Sequence, residues 1–288
     1  VGGYGDALPN IEQVLHEAAQ EKERGARAAA VAVRHEQLAD VGPAAMRGHH
    51  RRMATLFRRN QQRHLAASCL HTAYAEKLLT WLDQRIPRTA RPPFITAIAG
   101  ALGATGVGIT LLDVHNAEAL RSASTPAARA ALDLEYTLHE GPGQDAAAHR
   151  KNVTARGVEI PTRWPHYGPA VAALGIRAVE AAPLHDQTRY FGALTAFDAP
   201  SDPPVAVDDL ADAIAQSVLP NTENSLGMPL LRETDVQAVI NQAAGMLAAQ
   251  RRCPVSDALA LIRAHAFAAD EPTEQVAAHI VDRTLRLD

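Results

Sequence analysis

The sequence predicts an α+β protein: a helical N-terminal region, a central antiparallel sheet flanked by helices, and a C-terminal three-helix bundle. Three observations predict it. Long alanine-rich helical patterns fill roughly the first ninety residues, short β-rich runs alternate with helical ones through the middle, and residues 230–288 repeat a three- and four-residue apolar spacing three times.

In the N-terminal region Gly42-Pro43 breaks two helical patterns, predicted over residues 11–40 and 46–84. Helices this long with modest apolar stripes bury little alone, so they should pair with each other or with a second chain. Leu38, Met53, Leu56, Leu65, Leu78, Leu79 and Trp81 are the candidate contacts. Arginines stand at 47, 51, 52, 58, 59 and 63, with His49, His50 and His64 among them and no acid between Val41 and Ala75. Such a run is either a solvated face or a set of phosphate contacts. The adjacent pair His49-His50 does not make a metal site by itself, because neighbours in a helix do not face each other.

From Phe94 a helical pattern ends at Gly103, and residues 106–113 then read as a strand. Further strands are predicted over 118–123, 153–160, 178–184 and 190–197. The last two flank Asp186-Gln187-Thr188, a turn-rich stretch, and should form an antiparallel hairpin. Helical patterns lie at 127–135, 145–150, 165–174 and 207–219. Residues 220–229, rich in Asn, Ser, Thr, Gly and Pro, read as a short linker.

In the C-terminal part Val236, Val239, Ile240, Ala243 and Leu247 line one face of a first helix. Thr234, three residues before Gln237, makes a capping box at its start. Leu259, Ile262 and Ala266 repeat the pattern in a second helix, and Val276, Ala277, Ile280, Val281 and Thr284 in a third. Pro254 and Pro272 fall where the first turns of these helices should lie, a position that tolerates a missing N–H. Gly245 opposes its own helix, since a mid-helix glycine costs about 1 kcal/mol relative to alanine. It lies off the apolar stripe in a patch with Asn241, Ala244 and Ala248. Two readings stay open there: close packing against a neighbouring helix, or a shallow open surface where a flat ligand such as an unpaired base approaches the backbone.

Composition limits the function classes. Hydrophobic residues make up 47% and charged residues 21% of the chain, as in a globular protein. No run approaches eighteen apolar residues, and residues 1–10 lack the basic-then-apolar order of a signal peptide, so a cytoplasmic protein with no membrane partner is expected. Cys69 and Cys253 are too few and too far apart in sequence to indicate a disulfide framework or a zinc ribbon. The net charge of −4 argues against a nucleic-acid binder that relies on bulk positive charge. Glu135, His139, Glu140, Asp145 and His149 cluster in sequence and suit acid–base chemistry, a cation site, or merely a solvated loop. No phosphate loop, nucleophile elbow or metal-helix motif accompanies them, and neither an enzyme nor a metal site is expected.

Two stretches resemble known families. The run Asn241-Gln242-Ala243-Ala244-Gly245-Met246-Leu247, then Asp257-Ala258-Leu259, Ile262-Arg263, Val276-Ala277 and Ile280-Val281, resembles an ANTAR domain, the RNA-binding module of bacterial transcription antitermination regulators. The likeness covers nearly all of residues 233–287. Many members carry a basic residue where Ala244 stands, and a capping serine is common where this chain has Pro254.

Glu140-Gly141-Pro142 with Asp145-Ala146, Arg163-Trp164-Pro165, Leu174-Gly175-Ile176-Arg177, Pro183-Leu184 and Phe191-Gly192-Ala193-Leu194 resemble a GAF domain, a small-molecule sensor fold, over about residues 92–219. Such domains bind cyclic nucleotides, haem, bilins or nothing, so the likeness names no cofactor. Relatives commonly have cysteine after the Glu-Gly-Pro run. This chain has Gly143, which removes thiol chemistry from the expectation.

Together the resemblances imply an actinobacterial-type GAF–ANTAR regulator, divided into a helical region (1–90), a GAF-like sensor (91–219), a linker (220–229) and an ANTAR bundle (230–288). It would bind hairpin loops of nascent RNA and prevent transcription termination, acting as a homodimer. The RNA-binding residues would be Asn241, Gln242, Ala244, Gly245, Ala248, Arg251, Arg252 and Arg263. Tyr136, Trp164, Tyr167 and Phe197 are the aromatic candidates for lining a sensor pocket. The alternative is a small-molecule-sensing signalling or scaffold protein whose C-terminal bundle serves dimerisation or protein partners.

Overall fold

Two long helices, α1 (Ala7–Val41) and α2 (Ala44–Leu82), form the N-terminal hairpin in the computed structural model. The structure describes residues 7–83, 94–112, 118–185, 190–218, 235–269, 271 and 273–287. The Thr234 capping box, the Asp186-Gln187-Thr188 turn, the 220–229 linker and Pro272 lie outside the described residues, as do Gln84, Asp113 and Leu219 at the predicted element ends. Gly42 makes the turn between the helices: its N–H donates to Leu38 O at 3.0 Å, and a Cβ there would come within 2.4 Å of that oxygen.

The helices pair with each other through a seam that apolar spacing does not reveal. Ile11, Val14, Ala18, Glu21, Gly25, Ala28, Ala32 and Ala39 are all buried on α1, a three–four alternation that is the signature of a heptad repeat. Most are small, and polar side chains bridge the helices between them. Ser68 Oγ donates to Ala18 O at 2.8 Å, and the Nδ1 atoms of His64 and His71 lie 2.6 Å from Glu21 and 3.2 Å from Glu17. Arg58 forks onto both oxygens of Glu36 at 2.8 Å. Of the candidate contacts, Leu78 is buried, whereas Leu56, Leu65 and Leu79 are exposed by 43–49% and so lie outside the seam.

His35 and His50 also meet across this seam, Nδ1 to Nδ1 at 2.9 Å, so one proton serves the pair. His49 stands beside them, its ring centre 5.5 Å from that of His50. Burial, then His35 and His49, hold His50 below the ordinary histidine range. The fold therefore binds the proton that charges His50 more weakly than the unfolded chain does. Its contribution to stability is whole above the ordinary histidine pKa and falls as pH drops through that value. Acidification from about pH 8 to about pH 5.5 will lower the melting temperature of the wild type more than that of His50→Leu. Equal losses in thermal melts followed by circular dichroism would refute the assignment.

Two further helical segments complete this compact unit: α3 (Phe94–Leu102), and the segment Val207–Ala213, which continues as a π-helical turn over Ile214–Val218. Tyr74 of α2 meets Phe94 edge to face with ring centres 5.3 Å apart. Arg59 reaches buried Asp212 at 2.7 Å, and Arg63 donates to Gln216. Half of the arginine run is thus held by side chains of this same chain, through Arg58, Arg59 and Arg63.

A second compact unit contains most of the sheet together with the C-terminal helices. Strands β1 (Gly106–Leu112), β2 (Glu118–Ala123), β3 (Val153–Arg156), β4 (Ala178–His185) and β5 (Tyr190–Phe197) form one antiparallel sheet in the order β2-β1-β5-β4-β3. Register is fixed by pairs such as Thr110↔Arg121, Ile109↔Leu194 and Val153↔Ala181. The mixed helix and sheet bear out the α+β class. The third strand stops at Arg156, short of the predicted residue 160, because Gly157 turns the chain at φ 53°. The four short helices of this unit are α4 (Pro126–Leu138), α5 (Pro142–His149), α6 (Glu159–Arg163) and α7 (Tyr167–Ala173), and the segment Val207–Ala213 already described is α8. Thr125 caps α4 by accepting from Ala128 N at 3.1 Å, and Pro126 takes the first helical position.

The C-terminal helices are α9 (Asp235–Arg251), α10 (Val255–Ala269) and α11 (Thr273–Val281). They share one apolar core of Ile240, Ala243, Ala244, Leu247 and Ala248 with Ala258, Ile262, Ala266, Val276, Ala277 and Ile280. The third helix ends before Thr284, which is exposed. Arg283 takes a left-handed φ of 59°, and the amides of Thr284 and Leu285 close onto His279 O at 2.9 and 3.0 Å. Among the described residues, no helix is long and apolar enough to cross a membrane.

Candidate functional site

The C-terminal bundle settles where most of the predicted RNA-binding residues stand. Ile240, Ala243, Ala244, Leu247 and Ala248 follow the i, i+3, i+4, i+7, i+8 rule and form the buried stripe of α9. This corrects the expectation that Ala244 and Ala248 share an open patch with Gly245: they are 0% and 8% exposed and pack inside the bundle. The predicted stripe holds at Ile240, Ala243 and Leu247, with Val239 packed against it, and widens to take in Ala244 and Ala248. Gln242 and Gly245 lie on the opposite, exposed face, while the side chain of Asn241 lies outside the described residues.

Close packing does not account for Gly245. A Cβ built there meets nothing within 4 Å, so no neighbouring helix requires a glycine. Arg251 and Arg252 are both exposed at the end of α9. Arg251 Nε donates to Leu287 O at 3.3 Å, and Arg252 leaves the helix at φ 53°. Arg263 of α10 stands apart from this face, with its guanidinium 3.5 Å from the centre of the Tyr136 ring on α4.

That contact joins one residue predicted for RNA with one predicted for a sensor ligand. The other aromatic candidates are closed off from solvent. Trp164, Tyr167 and Phe197 are 3%, 0% and 1% exposed and belong to the core under the sheet, which corrects their assignment to a pocket wall. Large apolar rings are drawn into the core by the area they bury. Burial, then the Glu135 carboxylate, push the Tyr167 phenol well above its ordinary pKa, so it stays protonated.

The acidic and histidine cluster is used locally. Glu135, 4% exposed, accepts from the amides of Gly143 and Gln144 at 2.6 and 3.0 Å and so holds the start of α5. This explains the glycines around it: a Cβ at Gly141 would meet Glu135 Oε1 at 2.4 Å, and one at Gly143 would meet Glu135 and Thr195 at 3.1 Å. Glu140 accepts from the amides of His166 and Tyr167 at 3.0 and 3.2 Å, with His166 Nδ1 2.6 Å away. The hydrogen bond to the His166 side chain lowers its pKa most. Asp145 pairs with Arg163 at 3.0 Å, and His149 Nδ1 lies 2.9 Å from Asp145 O. His139 ends α4 in a left-handed conformation at φ 56°.

Sequence reading missed a groove in the second unit, lined by Arg129, Asp133, Arg263 and Phe267 among others. Phe267 carried a signal: it is a large aromatic off the buried Ala258, Ile262 and Ala266 stripe, and it is 68% exposed. No family model matches the chain, and no curated protein is significantly similar to it.

Proposed function

We propose that this chain is a transcription antitermination regulator that binds hairpins of nascent RNA through its C-terminal bundle, under the control of a GAF-like sensor domain. Gly245 carries the reading. A glycine in the middle of α9 weakens that helix by about 1 kcal/mol, and the open space around it leaves no packing reason for its presence. An exposed helical backbone without a side chain is a surface that a flat, unpaired base can reach. Gln242 on the same face supplies amide donors and acceptors, and Arg251 and Arg252 supply cations at the end of the helix. The motif that resembles an ANTAR domain supports the reading, because its residues fall on three short helices around one core. A homodimer would present two such faces to a pair of hairpins.

Gel-shift titration against a twin-hairpin RNA and a scrambled control tests this. The wild type should prefer the twin hairpin, and Gly245→Glu should weaken binding about tenfold or more without lowering the melting temperature. Removing Arg251 or Arg252 should reduce the salt slope by roughly 0.7 each if each neutralises one phosphate of a single strand. Equal binding to both RNAs, or binding indifferent to Gly245→Glu, would exclude the reading. Light scattering with and without RNA separates it from a scaffold role, in which the chain would self-associate equally well without RNA.

A further inference from the structure

We propose that the N-terminal part of α2 holds the phosphate backbone of a double-stranded RNA stem. Gly48, Arg51, Arg52 and Thr55 recur at the i, i+3, i+4 and i+7 positions, so they share one face of the helix, and all four are exposed. Elsewhere in the arginine run the fold uses the side chains itself: Arg58, Arg59 and Arg63 meet Glu36, Asp212 and Gln216, and Arg47 donates through Nε to Gly42 O at 3.2 Å. The guanidinium groups of Arg51 and Arg52 make no hydrogen bond or ion pair among the described residues.

Charge favours an anion at this face. Over residues 34–58, Arg34, Arg47, Arg51, Arg52 and Arg58 stand against Glu36 and Asp40, which leaves three positive charges in a chain whose net charge is −4. A guanidinium fork matches the paired oxygens of a phosphate. Gly48 adds access. A mid-helix glycine weakens its helix, yet a Cβ at Gly48 would make only ordinary contact, 3.7 Å from Arg52 Nη1, so packing does not require the glycine. With no side chain there, a sugar–phosphate strand can lie against the helix beside the two arginines.

The kind of polyanion follows from what the face lacks. None of the four residues is aromatic, and the rings of His49, His50 and Phe57 gather around His35 instead, with centres 5.2–6.5 Å from its own. Unpaired bases would have nothing to stack on, whereas a duplex offers its backbone. An anionic membrane would favour a broad apolar stripe beside the arginines. The exposed Met46 and Leu56 are ten residues apart, about 80° around the helix, and form no such stripe.

The inference rests on the RNA reading of the C-terminal bundle and adds a contact that is indifferent to sequence. The two surfaces belong to different compact units, so each can be removed alone. The full chain is titrated by gel shift against a loop-free RNA duplex of about 16 base pairs, against the twin-hairpin RNA and its scrambled control, and by flotation with phosphatidylserine vesicles. The wild type should bind the duplex whatever its sequence. Arg51→Gln combined with Arg52→Gln should weaken that binding about tenfold or more and reduce the salt slope by about 2, with the melting temperature unchanged. Arg51→Lys combined with Arg52→Lys should keep the salt slope, and Gly48→Glu should weaken duplex binding about fivefold. Gly245→Glu should leave duplex binding as it is, and the double glutamine variant should still prefer the twin hairpin. A wild type that binds the duplex without preferring the twin hairpin would refute the bundle's role and support this one. Absence of duplex binding, duplex binding unchanged in the double glutamine variant, or tighter binding to vesicles than to duplex at equal phosphate would overturn the inference.

Discussion

Replacing Gly192 with alanine will cost the fold about 3–5 kcal/mol, the largest loss expected from adding a single methyl group to this chain. Gly192 lies in β5 opposite Leu111 of β1 with φ at 147°, a region that L-residues rarely enter. A Cβ there would stand 1.9 Å from Thr110 O and 2.9 Å from Leu111 Cα. Both are backbone atoms in a central strand pair, so neither can move aside without breaking the β1–β5 ladder. Gly175 provides the control. Its φ of 85° is also unfavourable to alanine, but a Cβ there meets nothing within 4 Å, so Gly175→Ala should lose only the backbone term, about 1 kcal/mol. The difference between the two variants isolates the clash. Thermal unfolding should place Gly192→Ala lower by roughly 2–4 °C per kcal/mol for a unit of this size. If it melts no lower than Gly175→Ala, the strand pairing is not as tight as described.

The sequence made some levels of this fold legible and hid others. The bounds of β2 and β5 could be read residue by residue, and so could the start of β1 at Gly106, because β-prone runs there are set off by turn residues or by the start of a helix. The α4 cap was not read, although Thr125-Pro126 carries it. The heptad seam of α1 escaped notice because alanine, glycine and glutamate occupy it, and an apolar-stripe reading gives weight to large side chains. The same bias narrowed the stripe of α9: Ala244 and Ala248 count for little as hydrophobes, yet their helical positions bury them. Contacts between distant positions were out of reach. Nothing local pairs Arg59 with Asp212, or brings Arg263 over Tyr136. Of the residues expected to meet RNA, Gln242, Gly245, Arg251 and Arg252 are the exposed ones at α9, while the groove at Phe267 emerges only once α4 and α10 are placed.

Arg121→Leu should cost about 3–5 kcal/mol at neutral pH, and the deficit should shrink on acidification. Arg121 is a buried cation on β2 that donates to Asp133 Oδ1 at 2.7 Å and Leu132 O at 3.3 Å, with its guanidinium 4.4 Å from the Tyr136 ring centre. Leucine preserves apolar bulk but leaves Asp133 with a weaker counter-charge. Burial already holds the Asp133 carboxyl above the ordinary aspartate range against the pull of Arg121 and Arg129, and without Arg121 it will rise further. A carboxyl raised in the fold binds its proton more tightly there than in the unfolded chain. Stability from this group is therefore lost as pH rises through the window above the ordinary aspartate value, and regained as pH falls toward it. Other carboxylates lose stability in acid, so the quantity to measure is the gap between wild type and variant at each pH. That gap should be widest near neutrality and narrow toward about pH 4–5. Arg121→Leu combined with Asp133→Leu should recover most of the loss at pH 7, because the cost lies in an uncompensated buried charge rather than in a missing attraction. A gap that is constant with pH, or a double variant no more stable than Arg121→Leu, would show that Arg121 acts by packing against Tyr136 alone.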